Sequence, residues 1–227
     1  MDKKGRFYGI GIGPGDPDLI TLKAVKILSE VDVVIAPAAK NESLALKIAK
    51  PYIKCHVKEM DFPMICDTDA LKKIWSRNVK TIEKMLSDGL DTAFITLGDP
   101  MIYSTYTYIL SRLCGYEVQT VPGITSFCAA ASRIGKPIAE GDVPFAVMPV
   151  SDEKSVARVL KEFDSVVLMK VSRNYDDVVK QLKHNSFKGA LVTRCGQANE
   201  KLEFDLDRHL GEKIDYLSLI IARRDNT

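Results

Sequence analysis

Four segments of the chain interrupt its apolar pattern with residue types that bind ligands. Each includes the end of a stretch that predicts a buried strand, and they span residues 9–18, 97–108, 120–132 and 166–172. Their glycines expose backbone to close approach, while Asp99, Thr125 and Ser126 offer oxygen atoms to polar ligand groups. Lys170 ends an apolar strand with a cation. At the carboxyl ends of parallel strands such residues indicate a ligand site, although each segment alone also fits a turn, a helix cap or a strand end.

The first segment lies within FYGIGIGPGDPDLITL, residues 7–22, and it differs from the common nucleotide-binding loops. A dinucleotide fingerprint needs a third glycine where the helix packs on the strand, and the three frames place Pro14, Asp16 or Asp18 there. A phosphate-binding loop needs a Gly-Lys-Ser/Thr sequence, which does not follow. Pro14 and Pro17 also remove backbone donors that a phosphate would use. The segment therefore predicts a glycine-rich turn that admits another kind of ligand.

The composition is that of an ordinary globular protein. The chain has 227 residues, of which 46% are hydrophobic and 27% charged, and its net charge is +2. This small charge argues against nucleic acid or a membrane as partner, and no apolar stretch approaches the roughly 20 residues of a membrane span. The basic, glycine-rich start does not fit a signal peptide. Five irregularly spaced cysteines and three scattered histidines predict free thiols, no metal site and a cytoplasmic location.

Strand and helix patterns alternate along almost the whole chain. In the first half, strands are predicted at residues 7–13, 32–37, 55–59, 92–97 and 117–121, and helices at 21–29, 42–52, 69–87 and 105–113. The pattern then restarts with a helix at 125–133, strands at 145–150, 165–170 and 190–194, a helix at 175–183 and further strands. We expect two α/β domains, residues 1–117 with a mainly parallel sheet and 118–227 with a mixed sheet, and a ligand cleft between them.

Four motifs, in this order, resemble those of the tetrapyrrole methylases, a family of two-domain methyltransferases that use S-adenosylmethionine. They are GIGPGDPDLITLKA at residues 11–24, LGDP at 97–100, VPGITS at 121–126 and ALVTRCG at 190–196. The resemblance extends over essentially the whole chain. It implies the class III methyltransferase fold, S-adenosylmethionine as cofactor and a homodimer.

Two further stretches, MIYST at residues 101–105 and the step Met169-Lys170-Val171, resemble one branch of this family. That branch methylates C20 of precorrin-2 or cobalt-factor II in cobalamin synthesis, so the resemblance implies such a tetrapyrrole as substrate. The presence of cobalt in the acceptor is left open. Methylation at C11 or C17, or of uroporphyrinogen III, is the alternative within the same family.

The resemblance also implies roles for individual residues. Cofactor contacts are implied for Pro14, Leu97, Gly98, Asp99, Ile102, Thr125, Ser126, Met169 and Gly196. Substrate contacts are implied for Gly13, Pro14, Tyr103, Ser104 and Lys170. Positioning can supply much of the rate. The implied substrate already has an electron-rich meso carbon, so no dedicated strong base is required, and the candidates for removing the C20 proton are Asp99, Tyr103 and Lys170. The carboxylates of such a substrate need basic groups, for which the candidates are Lys40, Arg133, Lys136, Lys170 and Arg173.

Three other functions compete with this one. A nicotinamide-dependent oxidoreductase would need the missing third glycine, and Asp32 begins a predicted strand where an acidic residue should end one. A methylase of RNA or protein is a second rival, and for this rival the small net charge and the lack of an aromatic and basic patch disfavour nucleic acid as substrate. A non-catalytic tetrapyrrole-binding protein stays open, because no residue pattern excludes it.

Overall fold

A computed structural model describes residues 3–38, 43–63 and 68–225. The chain divides into two compact units, residues 1–125 and 126–227. The predicted boundary after residue 117 lies earlier than this division. The reason is that the strand Val118–Val121 pairs with Phe7–Gly11 and so completes the sheet of the first unit.

The first unit contains a five-stranded sheet in which every neighbouring pair is parallel. Its strands are β1 (Phe7–Gly11), β2 (Val33–Ala38), β3 (His56–Asp61), β4 (Thr92–Thr96) and β5 (Val118–Val121), in the order β3-β2-β4-β1-β5. Its α-helices are α1 (Leu22–Glu30), α2 (Leu44–Ala49), α3 (Thr68–Ser87) and α4 (Tyr106–Leu110), and short 3-10 turns cover Pro17–Leu19 and Lys50–Tyr52. The prediction of a parallel α/β arrangement in this half is confirmed.

The central strands β1, β2 and β4 of this first sheet are buried on both faces. One face carries Ile10 and Ile95 in a core with α1 and α2, and the other carries Phe7 and Phe94 in a core with α3 and α4. This cover on both sides explains why the central strands β1, β2 and β4 read as continuous apolar runs rather than as alternating patterns, whereas the edge strand β3 is polar and partly exposed. The burial fixes the strand register and therefore where each strand ends.

The second unit contains a mixed five-stranded sheet. Its strands are β6 (Phe145–Pro149), β7 (Ser165–Met169), β8 (Phe187–Thr193), β9 (Lys201–Glu203) and β10 (Ser218–Arg224), in the order β6-β7-β10-β8-β9. β10 is antiparallel to both β7 and β8, whereas β6 and β7 are parallel. The helices are α5 (Ser126–Ile134), α6 (Glu153–Glu162) and α7 (Tyr175–His184), with 3-10 turns at Val171–Arg173 and Leu206–His209. Across the described ranges, no helix is both long and apolar enough to span a membrane.

Candidate functional site

Three loops of the first unit meet at the carboxyl ends of β1, β4 and β5 through bare backbone. The N–H of Gly98 donates to the carbonyl of Gly13 at 2.7 Å, and the Gly13 N–H donates back at 3.4 Å. A Cβ at Gly11 would lie 2.6 Å from the Gly98 oxygen, and one at Gly123 would lie 2.2 Å from the same oxygen. Distances below 3.0 Å leave no room for a side chain. We call Gly11, Gly98 and Gly123 the glycine node.

Gly98 also fits the close approach of a ligand. Its φ is +71°, a conformation that glycine adopts without strain, and its position directly follows Leu97 after β4. Among the described residues, no heavy atom beyond its chain neighbours lies within 4 Å of a Cβ built there. The space on the Cβ side of Gly98 is therefore open. A ligand that binds through contacts with the backbone needs such a space.

Asp99 connects two of the three loops. Its Oδ1 accepts the N–H of Met101 at 2.8 Å, and its Oδ2 accepts the N–H of Gly123 at 3.0 Å. Both carboxylate oxygens thus hold backbone amides of the site itself. This geometry identifies Asp99 as a residue that positions the loops, and its predicted contact with the cofactor and its predicted role as a base stay predictions.

An apolar surface follows Asp99. Met101, Ile102 and Tyr103 are 55%, 38% and 50% exposed, which is unusual for three consecutive large apolar residues. Tyr103 has a φ of 49°, in the left-handed region that non-glycine residues rarely adopt. Such strained residues occur mainly where the surrounding structure holds them for a purpose. The chain thus presents three exposed apolar side chains directly after Asp99. The predicted contacts of Ile102 with the cofactor and of Tyr103 with the substrate stay predictions.

Ser104 is placed differently from this apolar surface. It is buried, and its hydroxyl lies 2.9 Å from the hydroxyl of Thr96 and accepts the N–H of Tyr106 at 3.1 Å. The Tyr106 hydroxyl in turn lies 2.7 Å from that of Thr120, and its ring fills the space beside Gly9. Ser104 therefore anchors the return of the loop into α4, and its predicted substrate contact stays a prediction.

The remaining predicted residues of this region lie around the same loops. Pro14 is buried in the turn between β1 and the Pro17–Leu19 turn, next to Gly13. Leu97 is half-buried at the end of β4, and Thr125 and Ser126 are half-buried where β5 has ended and α5 begins. Their predicted contacts with the cofactor or substrate stay predictions.

In the second unit, the strand order brings predicted residues that are distant in sequence to the same end of the sheet. β10 lies between β7 and β8, with Leu219 opposite Met169 and Ser218 opposite Thr193. Lys170 follows Met169 with a φ of 58°, so the chain turns sharply where the strand ends. Met169 therefore ends β7, and Lys170 and Gly196 lie in the turns that follow β7 and β8 at the same end of this sheet. Their ligand contacts stay predictions.

The turn after β8 depends on two acidic residues that the sequence analysis did not single out. The Arg194 Nε lies 2.8 Å from Asp215, and the N–H of Gly196 donates to Glu200 at 2.6 Å. Glu200 also forms an ion pair with Arg133 at 2.7 Å. The only local sign of Glu200 is that it lies four residues after Gly196. Its other partner, Arg133 on α5, is far away in the sequence, so no local pattern predicts the pair.

The candidates for binding substrate carboxylates have varied surroundings. Arg133 pairs with Glu200, so it already has a carboxylate partner within the second unit. Lys136 lies 5.6 Å from the centre of the Phe204 ring, and Arg173 ends a 3-10 turn. Lys40 lies outside the described residues. Over residues 3–38, 43–63 and 68–225, no group of three His, Cys, Asp or Glu residues is arranged to hold a metal ion.

Curated relatives resemble the chain over most of its length. A protein of Methanocaldococcus jannaschii named probable cobalt-precorrin-2 C(20)-methyltransferase is 36% identical over 227 residues, which cover 96% of each chain. The cobalt-precorrin-2 C(20)-methyltransferase of Salmonella typhimurium is 38% identical over 173 residues, which cover 74% of this chain and 73% of the relative.

Solved structures share the fold. A cobalt precorrin-4 methyltransferase superposes with a TM-score of 0.77 at 22% identity, covering 96% of this chain and 94% of the other. The uroporphyrin-III C-methyl transferase from Thermus thermophilus, solved in complex with S-adenyl homocysteine, gives a TM-score of 0.70 at 20% identity over 96% and 97% of the two chains. The family model of the tetrapyrrole (corrin/porphyrin) methylases matches residues 6–207. The chain therefore belongs to the tetrapyrrole methylases.

Proposed function

We propose that this chain transfers a methyl group from S-adenosylmethionine to C20 of a precorrin-2-type tetrapyrrole in cobalamin synthesis. The observation that carries the proposal is the 36% identity to the Methanocaldococcus protein over 96% of both chains. Both relatives named above act, by their names, on cobalt-precorrin-2, which favours a cobalt-containing acceptor over a metal-free one. In that case cobalt belongs to the substrate.

The residues of the first unit fit this chemistry. When bound, S-adenosylmethionine supplies an electrophilic methyl group for in-line displacement by a carbon nucleophile. The glycine node leaves backbone and open space for the cofactor at Gly98. The exposed side chains of Met101, Ile102 and Tyr103 offer an apolar surface to one face of the macrocycle. Holding the two reactants in line can supply much of the acceleration.

Proton removal from C20 completes the reaction, since the carbon gains a methyl group and must lose hydrogen. Asp99 already accepts two backbone N–H groups, which favours a positioning role. Tyr103 and Lys170 are then the remaining candidates. A lysine accepts the proton only as the neutral amine, and a tyrosine hydroxyl accepts it only while passing its own proton on to water.

Incubation with labelled donor tests the proposal. The protein is mixed with S-adenosylmethionine carrying a ¹³C methyl group and, separately, with cobalt-precorrin-2, cobalt-factor II, precorrin-2 and uroporphyrinogen III. We expect one labelled methyl at C20 by mass spectrometry and NMR, with the cobalt-containing acceptors reacting fastest. Label at C11 or C17, or label on uroporphyrinogen III alone, would assign the chain to another branch. Tight tetrapyrrole binding without any transfer would support a carrier protein instead.

The family resemblance also supports a cytoplasmic homodimer. Light scattering coupled to size-exclusion chromatography should give twice the chain mass of 25.2 kDa. Cell fractionation should recover the protein with the soluble cytoplasmic fraction. A monomer at micromolar concentration would contradict the first expectation, and recovery with membranes would contradict the second.

A further inference from the structure

A buried carboxylate lies behind the turn that follows β8. The side chain of Glu200 is 9% exposed, and one of its oxygens accepts the Gly196 N–H at 2.6 Å. The other oxygen pairs with the Nε of Arg133 at 2.7 Å. Arg133 lies in the last turn of α5, the helix that begins at the predicted cofactor residue Ser126. Glu200 therefore joins Gly196 to α5.

The thiol of Cys195 belongs to the same cluster. It is buried, and burial together with the nearby negative charge of Glu200 raises the pKa of Cys195 to about 11. The thiol therefore stays protonated near neutral pH and acts as a weak donor rather than as a nucleophile. Glu200 thus has three neighbouring donors, and removing it would leave the Gly196 N–H and the Arg133 guanidinium without this acceptor.

The turn needs such support because its backbone is unusual. Arg194 has a φ of 52° and Gly196 a φ of 75°. Arg194 is held from one side by Asp215 at 2.8 Å and by a hydrogen bond from its N–H to the Leu217 carbonyl. Glu200 holds Gly196 from the other side. A non-glycine residue keeps a left-handed backbone conformation only when the contacts around it hold it there, and such residues are common at functional turns.

We propose that Glu200 is a positioning residue for the cofactor, because it holds the Gly196 turn against α5 in the conformation that binds. This inference rests on the proposed function, in which Gly196 contacts the adenosine end of S-adenosylmethionine. The adenosine end does not react, so its contacts are the same in the ground state and the transition state. Losing them raises the dissociation constant and KM for the cofactor but leaves kcat nearly unchanged.

Calorimetric titration with S-adenosylhomocysteine and steady-state methyl transfer test the inference. For Glu200→Ala we expect the Kd and the KM for S-adenosylmethionine to rise roughly tenfold or more, with kcat within about twofold, because a charge-assisted hydrogen bond is lost. Glu200→Gln should raise Kd less, since its amide oxygen still accepts the Gly196 N–H. Arg133→Lys should restore most of the affinity that Arg133→Met loses.

The matched control is the ion pair between Arg223 and Glu140 in the same unit. Arg223 lies opposite Ser165, at the start of β7 and thus away from Met169 and Gly196. Glu140→Ala removes a Glu–Arg pair there and should leave Kd and KM unchanged. Thermal unfolding identifies variants that fail to fold, and Glu200→Gln and the Arg133 variants then decide the outcome.

The possible outcomes separate the two proposals. Wild-type protein that binds neither S-adenosylmethionine nor S-adenosylhomocysteine overturns the proposed function, and this inference with it. Wild-type protein that binds both, together with folded Glu200 variants of unchanged Kd, overturns only the role of Glu200. A fall in kcat at unchanged Kd would also overturn it, because that result would place Glu200 at the reacting end.

Discussion

The two units hold their glycine turns by different means. In the first unit, Gly11, Gly98 and Gly123 touch through backbone atoms, and Asp99 adds two hydrogen bonds to amides. In the second unit, the Arg194–Gly196 turn is held by the side chains of Glu200 and Asp215. At Gly11 and Gly123 the backbone contact leaves no room for a larger residue, whereas a side-chain contact between ions depends on charge. The first turn should therefore be sensitive to volume and the second to ionisation.

The largest expected effect comes from adding one carbon atom to the glycine node. In Gly123→Ala, the new Cβ would lie 2.2 Å from the Gly98 oxygen and 2.8 Å from the Cα of Gly11. Backbone must then move, so we expect a loss of about 3 kcal/mol in the free energy of unfolding, or no folding, and no methyl transfer. Urea unfolding and the labelled-donor assay measure the two effects.

Gly98→Ala provides the contrast within the same node. Its Cβ would meet no heavy atom of the described part of the chain within 4 Å, so the cost is that of a left-handed alanine, about 1 kcal/mol. Loss of cofactor binding with a modest loss of stability would indicate that the space beside Gly98 is used. Equal loss of stability in the two variants would contradict the steric explanation.

The effect expected from Asp99 is smaller than that of Gly123→Ala. Asp99 shares one feature with the second unit, a carboxylate that accepts backbone N–H groups. Asp99→Ala removes the acceptor for Met101 and Gly123, and we expect about 2 kcal/mol of destabilisation and a large fall in kcat/KM. Asp99→Asn keeps one acceptor oxygen, so it should retain part of the stability and part of the kcat/KM. Urea unfolding and steady-state kinetics of the two variants give the values.

The variants Asp99→Ala and Asp99→Asn also distinguish a positioning role of Asp99 from a role in proton transfer. If Asp99 were the base, asparagine would be as inactive as alanine at unchanged stability, because neither side chain can take a proton. Retained activity in Asp99→Asn would support the positioning role that the two hydrogen bonds indicate.

The sequence predicted the strands and the turns of both units because those features are local. Thr21 was expected to begin α1, and its hydroxyl accepts the N–H of Ala24 at 3.2 Å. The helix α6 was missed, although Asp152 caps it by accepting the N–H of Ser155, because its charged face hides a short apolar stripe. Local patterns thus located most elements but overlooked a ten-residue helix between two strands.

The contacts between loops could not be predicted in the same way. Nothing near Asp99 in the sequence indicates that its carboxylate would hold Gly123, 24 residues later. Ser104 follows the apolar surface at residues 101–103, and only the return of the chain into α4 buries it. The partner of Glu200 lies 67 residues away. These pairs depend on strand order, which a single sequence does not display.

Ser104→Ala tests whether that residue supports the first site or contacts the substrate. The change leaves the buried Thr96 hydroxyl and the Tyr106 N–H without their partner, so we expect about 1–2 kcal/mol of destabilisation. KM for the tetrapyrrole should change little, because the residue is buried. A rise of tenfold or more in that KM at unchanged stability would favour direct contact with the substrate.

The smallest expected effect is the change in unfolding free energy at acidic pH, and it should come from Glu200 in the second unit. Burial raises the pKa of Glu200, but the Gly196 N–H and Arg133 outweigh it and bring the pKa below its ordinary value of 4.5. A carboxylate with a depressed pKa stabilises the fold fully above pH 4.5, and this contribution is lost as the pH falls through the lower, folded-state pKa.

Glu200→Gln cannot ionise at residue 200, so its unfolding free energy should lie below that of the wild type at pH 7 and approach it in acid. Urea unfolding at several pH values below 7 measures the gap. A gap that stays constant into acid would mean that the charge of Glu200 contributes nothing to stability, and that the two units differ only in geometry.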